Sequence, residues 1–179
     1  MSPKVLLNTK EVNIILHRLA CQLIEKHTDF SNTVLIGLQP RGVFLAERIK
    51  ALLQTQYKLP EVQLGLLDIT FYRDDFRRSD KVLEANSTEI DFLIENKRVV
   101  FIDDVLYTGR SIRAALTAIQ SFGRPSEIEL LTLIDRRFSR HLPIQPDYRG
   151  RQVDAIHDEK VLVNWKETSG EDAVYLIKN

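Results

Sequence analysis

Residues 99–111 read VVFIDDVLYTGRS: four apolar residues, the adjacent carboxylates Asp103 and Asp104, three more residues, then Thr108-Gly109-Arg110-Ser111. Neighbouring like charges repel, and more so when desolvated, so stability alone does not account for the pair. The hydroxyls of Thr108 and Ser111 and the free backbone of Gly109 suit a phosphate, above all where a helix begins. Carboxylates beside a phosphate pocket suit sugar hydroxyls or a metal-organised ribose. A second turn, Gln39-Pro40-Arg41-Gly42, offers a fixed cation and a glycine that lets backbone approach a ligand closely. The chemistry indicated is that of a sugar phosphate held between two turns.

Other chemistries are excluded by spacing and composition. Neither GxxxxGK[ST] nor GxGxxG occurs. His17, His27, His141 and His157 lack metal-ligand spacing, and Cys21 has no second cysteine for zinc or an internal disulfide. The 25 Lys and Arg balance 25 Asp and Glu, so no global field draws in nucleic acid or an anionic membrane. Any RNA contact must come from a local patch. No apolar run reaches the roughly 20 residues that span a bilayer. The start, MSPKVLLNTKE, lacks a signal peptide's apolar stretch, so the expected location is cytoplasmic.

The elements that carry the two turns follow from periodicity. Val12, Ile15, Leu16, Leu19 and Leu23 recur at helical spacing, after Asn8 and Glu11 in capping-box register. Residues 33–38, 61–70, 98–103 and 127–136 read as strands, the third as the clearest buried one. Helical patterns occupy 43–53 and 109–122, the latter stopped by Gly123 with Pro125 beyond. Residues 141–150 read as irregular, and 160–165 and 173–177 as short terminal strands. This order predicts an α/β fold with a mainly parallel central sheet flanked by helices. No repeat or linker divides the 179 residues, so one domain is expected.

VVFIDDVLYTGRS resembles the signature of the type I phosphoribosyltransferases. With DITFYRDDF (68–76), LIDR (133–136) and LPI…DY (142–148) in order, the chain is similar throughout to the PyrR-type pyrimidine-operon attenuation regulators and uracil phosphoribosyltransferases. The resemblance implies the type I phosphoribosyltransferase fold, with a flexible loop at about 72–87 and a hood at about 136–165 plus N-terminal residues. It implies transfer of phosphoribose from 5-phosphoribosyl-1-pyrophosphate (PRPP) to uracil, giving UMP and pyrophosphate, with Mg²⁺ held through PRPP and water and by Asp103 and Asp104. Those two acids take the ribose hydroxyls. Val105, Leu106, Tyr107, Thr108, Gly109, Arg110 and Ser111 cradle the 5-phosphate. Gln39, Pro40, Arg41 and Gly42 take the pyrophosphate, in a turn where the family often has a non-proline cis bond, here Pro40–Arg41. Arg41 and Arg73 join the acids as catalytic candidates, and Asp135, Arg136 and Arg137 belong to the base site and hood. Tyr107, where the 6-oxopurine enzymes carry Asp, favours uracil.

The family pattern Asp-Arg-Gly is here Asp135-Arg136-Arg137, a departure within the hood. The resemblance further implies a homodimer or higher homo-oligomer, and binding of a pyrimidine-operon leader mRNA. Candidates for the RNA face are Arg18, Lys26, Arg140, Arg149 and Arg151. Structural alternatives stay open: acids at a strand end also cap turns, and Arg73, Arg77 and Arg78 also read as a solvated charge run. Two functional alternatives stand beside the uracil enzyme. One is a non-catalytic nucleotide sensor that binds RNA; the other is a purine phosphoribosyltransferase.

Overall fold

A computed structural model of the chain describes residues 3–73, 86–155 and 159–178. The first helix, α1 (Thr9–His27), begins where Asn8 and Glu11 predict. The Glu11 amide donates to the Asn8 side chain at 3.0 Å, and the Asn8 amide to the Glu11 carboxylate at 2.9 Å. This capping box satisfies two of the amides that a helix start leaves free. Val12, Ile15, Leu16, Leu19 and Leu23 are buried along one stripe, while Ile14, Arg18 and Glu25 face outward.

The apolar runs become strands β2 (Thr33–Gln39), β3 (Gln63–Asp68), β4 (Arg98–Leu106) and β5 (Glu127–Arg137). With β6 (Tyr148–Asp154) they form one sheet in the order β3-β2-β4-β5-β6, every neighbouring pair parallel. Helix α2 (Gly42–Thr55) joins β2 to β3. Helix α3 (Arg110–Ala118), continued by a 3₁₀ turn at Ile119–Phe122, joins β4 to β5. Alternate residues of the strands feed two cores. Leu35, Val100 and Leu131 pack with α1 and α2, whereas Ile36, Phe101 and Leu130 pack with α3. Burial of β2 at every position is what a parallel sheet covered on both faces requires.

Three features differ from the sequence reading. Strand β4 does not stop at Asp103 but continues to Leu106, because its pairing with β5 runs on to Leu106–Asp135. The irregular segment 141–150 gives way at Tyr148 to β6. Only Tyr148 and Val153 are buried in that strand, so its apolar pattern is faint, as is common at a charged sheet edge. The N-terminus forms a strand, β1 (Lys4–Leu7), which pairs with β8 (Ala173–Lys178) and through it β7 (Glu159–Asn164) in an antiparallel sheet.

That small sheet is fastened to the helices by Arg48 of α2. Its guanidinium donates to Asp172 at 2.7 and 2.8 Å and to Glu167 at 2.8 and 3.1 Å, and lies 4.8 Å from the Trp165 ring centre. Asp172 also accepts from the Lys166 amide at 2.8 Å, and its carbonyl from Thr9 Oγ1 of α1 at 2.8 Å. At the other end of the central sheet, burial pushes the His27 imidazole below its ordinary pKa, against the pull of Glu129. It is within 3.0 Å of Glu129, Tyr148 and Thr33, which joins β2, β5 and β6 near their starts.

Hydrogen bonds from Arg48 hold the carboxyls of Asp172 and Glu167 below their ordinary values. Depressed carboxylates stabilise the fold above their unfolded values and lose that contribution as pH falls through the folded ones. Arg48→Met is therefore expected to cost about 2 kcal/mol at pH 7, the scale of charged hydrogen bonds. The deficit should narrow below pH 4 in urea-melt series run across pH.

Candidate active site

Strand β2 leads through α2 to β3 on one side, and β4 leads through α3 to β5 on the other. Chain direction thus diverges between β2 and β4, where parallel sheets of this kind bind ligands beyond their carboxyl ends. The register opens there. Pairing of β2 with β4 ends at Gly37–Ile102, one residue before Asp103, while β4 stays paired with β5. The acid pair stands at the mouth of this gap.

Gly42 brings the first turn to the acids. A Cβ at that position would meet the Ile102 carbonyl oxygen at 2.2 Å and the Asp103 Cα at 3.1 Å, so only glycine admits the contact. The cis bond in this turn is Gln39–Pro40, not Pro40–Arg41, in keeping with the small trans preference of a peptide that precedes proline. Gln39 Nε2 donates to the Ser87 carbonyl at 2.8 Å. Arg41 is exposed, and its charge acts on both acids.

Burial drives the Asp103 carboxyl well above the ordinary carboxylate value, and the charge of Asp104 drives it further. Arg41 and the Asp104 amide, which donates to Asp103 Oδ1 at 2.9 Å, pull the other way. Burial also raises Asp104, against the pull of Arg41. Beyond Leu106, Gly109 takes φ +90° and turns the chain into α3, whose first amides have no partner inside the helix. The loop is backed by the segment after β5. The His141 amide donates to the Thr108 carbonyl at 3.0 Å, and Arg140 Nη1 donates to the Tyr107 carbonyl.

These pieces enclose two adjoining cavities. The larger, about 470 Å³, is bounded by Gln39–Arg41, Arg73, Asp103–Val105, Tyr107, Ser111, Arg136 and Glu159–Val161. The smaller, about 250 Å³, is lined by Arg73, Asp103 and residues 105–112. A cation, an acid pair and a helix-start loop lie around these two adjoining cavities.

The phosphoribosyl transferase domain family matches residues 4–165. The chain is 44% identical over 173 residues to the bifunctional protein PyrR of a Picosynechococcus species, covering 97% of this chain and 96% of that protein. The chain belongs to the phosphoribosyltransferase family, among the PyrR proteins. It is also 40% identical over 174 residues to the bifunctional protein PyrR of Clostridium novyi, covering 97% of each. Two solved hypoxanthine phosphoribosyltransferases share the fold. That of Staphylococcus aureus has a TM-score of 0.69 at 20% identity, over 98% of this chain and 91% of that one. The Trypanosoma cruzi enzyme has 0.73 at 16% identity, over 98% and 96%.

Of the residues singled out in the sequence, the structure gathers Gln39, Pro40, Arg41, Arg73, Asp103, Asp104 and residues 105–111 around these PyrR-family cavities. Gly42 lies behind them as a spacer. Arg136 borders the larger cavity. With Asp135 and Arg137 it also lines a further one of about 310 Å³, where Asp135 pairs with Arg140 and, at 3.5 Å, with Arg149, and Arg137 pairs with Asp154.

The five candidates for an RNA face all have partners within the chain. Arg18 donates to the Arg149 and Gly150 carbonyls, Arg151 to that of Leu6, and Lys26 pairs with Glu127 and Glu129. Residues 74–85 of the expected loop, with Arg77 and Arg78, and His157 of the expected hood lie outside the described residues. Glu159, Lys160 and Val161, within the hood expected at about 136–165 but not singled out there, reach the cavity from β7. Asp68 was legible only as part of DITFY. Its carboxylate accepts from the Thr70 and Asn86 amides at 2.9 Å, tying together the two sides of the segment that follows β3.

Among the described residues no three His, Cys, Asp or Glu side chains converge on one point. A divalent cation here would rest on one or two carboxylates plus phosphate and water oxygens, which is how Mg²⁺ is commonly held, and the acid pair fits that role.

A carboxyl whose folded value is raised above its unfolded one costs stability once pH exceeds the unfolded value. Asp103→Asn should accordingly raise the melting temperature at pH 7.5, and the gain should shrink toward pH 4, where the unfolded carboxyl also begins to protonate. The same variant should lose at least about tenfold in affinity for PRPP by calorimetry, as expected when hydrogen bonds to a charged group are removed.

Proposed function

We propose that the chain transfers phosphoribose from PRPP to uracil, releasing pyrophosphate, and that its nucleotide state governs binding to a pyrimidine-operon leader RNA. The observation that supports it most directly is the desolvated acid pair between two turns built for phosphate, with Tyr107 and Arg136 walling the same cavity.

In this reading the bond from the sugar C1′ to pyrophosphate breaks, the bond from C1′ to uracil N1 forms, and the N1 proton is released. Positive charge gathers on the ribose as its leaving group departs, so catalysis lies mostly in positioning and in stabilising the leaving charge. Asp103 and Asp104 hold the ribose hydroxyls, whose donors favour the ionised carboxylates that burial disfavours. Mg²⁺, when bound, supplies charge neutralisation to the phosphate oxygens. Arg41 and the Gln39–Gly42 turn take the pyrophosphate, with Arg73 beside them. The loop 105–111 and the start of α3 receive the 5-phosphate. A regulatory role is supported by kinship with proteins named bifunctional and by Arg140, Arg149 and Arg151 near one edge of the sheet. Held by carbonyls and carboxylates, such guanidiniums keep their charge and a fixed aim toward phosphates.

A panel of bases incubated with PRPP and Mg²⁺ tests the enzyme. Uracil should yield UMP and pyrophosphate, and hypoxanthine and guanine should turn over more slowly by about a hundredfold or more, the discrimination that unpaired buried polar groups provide. Turnover of a purine without uracil would establish the purine enzyme instead.

Gel-shift titrations test regulation. UMP should tighten binding to a pyrimidine-operon leader hairpin, with affinity falling steeply as salt rises. Equal affinity for a scrambled hairpin removes that role. UMP-dependent RNA binding without pyrophosphate release would mark a non-catalytic sensor.

A further inference from the structure

Gln39 and Asp68 are register partners at the carboxyl ends of the parallel strands β2 and β3, and both are buried. The Asp68 carboxylate uses both of its oxygens. Oδ1 accepts from the Thr70 amide at 2.9 Å and the Thr70 hydroxyl at 2.6 Å, and Oδ2 from the Asn86 amide at 2.9 Å. The Asp68 amide donates to the Thr88 hydroxyl at 3.1 Å. Ser87, between Asn86 and Thr88, gives its carbonyl to Gln39 Nε2 at 2.8 Å. Leu66 and Glu89 then exchange both backbone hydrogen bonds, at 2.8 and 2.9 Å, so residues 86–89 lie against the end of β3. A buried carboxylate is costly unless charge-assisted hydrogen bonds satisfy it. Here those bonds come from two separate segments, which one carboxylate holds together.

Thr70 opens a single 3₁₀ turn, Thr70–Tyr72, closed by the Tyr72 amide on the Ile69 carbonyl at 3.0 Å, and Arg73 is the next residue. Arg73 borders both the larger and the smaller cavity, whereas Asp68 lines neither. Arg41 borders the larger cavity from the turn after β2. Gln39 begins that turn, so its bond to Ser87 ties the backbone that carries Arg41 to the residues that Asp68 holds. The backbones bearing two cations are thereby fixed relative to each other around one space. A diphosphate presents charge on two phosphorus centres. Two cations already set in place meet it without the ordering cost of finding that geometry on independent turns. Resting on the phosphoribosyl-transfer reading above, we propose that Asp68 is a positioning residue for the reaction. It sets Arg73 against Arg41 for the pyrophosphate of PRPP and does not itself touch substrate.

Calorimetry with PRPP and UMP, beside steady-state kinetics, tests this on the full chain. Asp68→Asn keeps the size of the side chain and turns one acceptor into a donor, so one of the two segments is released. It should weaken PRPP by at least about tenfold, the scale of hydrogen bonds to a charged group, and raise the KM for PRPP likewise. UMP, which carries no pyrophosphate, should bind as in the parent, and the KM for uracil should not change. Arg73→Met should weaken PRPP as much. Adding Asp68→Asn to it should change little further, because residues that act through one contact are not additive. If Asp68→Asn fails to fold, Thr70→Val carries the same cycle, since it removes only the hydroxyl on Oδ1, with a loss of about threefold. Losses that multiply in the double variant overturn the inference, as does equal weakening of PRPP and UMP, since either marks a support for the fold at large. Unchanged PRPP affinity in the Asp68 variant overturns it and leaves the phosphoribosyl-transfer reading standing. A parent that binds no PRPP overturns both.

Discussion

Two carboxyl groups on adjacent residues, partly withdrawn from water, repel each other, and the backbone that carries them must be held from elsewhere. Asp103 and Asp104 ride on β4, whose preceding residues Val99 to Ile102 are buried between two helical layers. On one side β4 is released by β2 just before the acids; on the other it stays paired with β5 past them. The crevice and the rigidity of its wall thus come from one asymmetry in register. Gly42 adds to it, because the cation after β2 reaches the acids only where the helix start can press against the β4 backbone without a Cβ. Any side chain at 42 would push Arg41 away and leave the acid pair less compensated.

The phosphate loop depends on the same strand. Leaving β4 at Leu106, it is held from behind by residues after β5, through the His141 amide and the Arg140 guanidinium. Arg140 also pairs with Asp135, which in turn meets Arg149. The basic side chains at that edge of the sheet are therefore connected by hydrogen bonds and ion pairs to the carbonyls of Tyr107 and Thr108.

What could be read from the sequence was what short-range physics encodes. The capping box of Asn8 and Glu11, the continuous apolar runs of β2 and β4 and the breaker at Gly123 each act over a few residues, and each appears in the structure. The site residues on the two strand-to-helix turns were legible for the same reason, since glycine, hydroxyl and charge lie close together in the chain. Strands β1 and β6 were not legible, because one buried residue in Lys4–Leu7 and two in Tyr148–Asp154 do not make a period. The approach of Lys160 and Val161 depends on how the small sheet is fastened, which no local pattern records.

The chain also uses one residue type in two opposite ways. Arg48 has two carboxylates and the Trp165 ring around it, so burial of its charge is offset and it joins the small sheet to α1 and α2. Arg136 has a ring and a carbonyl but no carboxylate bonded to it, and its Nε is unused among the described residues. A guanidinium placed only for stability would have acquired an acid, as Arg48 did. The acid pair has the complementary imbalance: burial raises both carboxyls, and the charge of the exposed Arg41 and nearby backbone amides offset it only in part. Charged groups of both signs thus border the same cavity. On the phosphoribosyl-transfer reading proposed above, ribose hydroxyls are the donors that complete the acid pair. Binding energy and correct orientation then come from the same contacts.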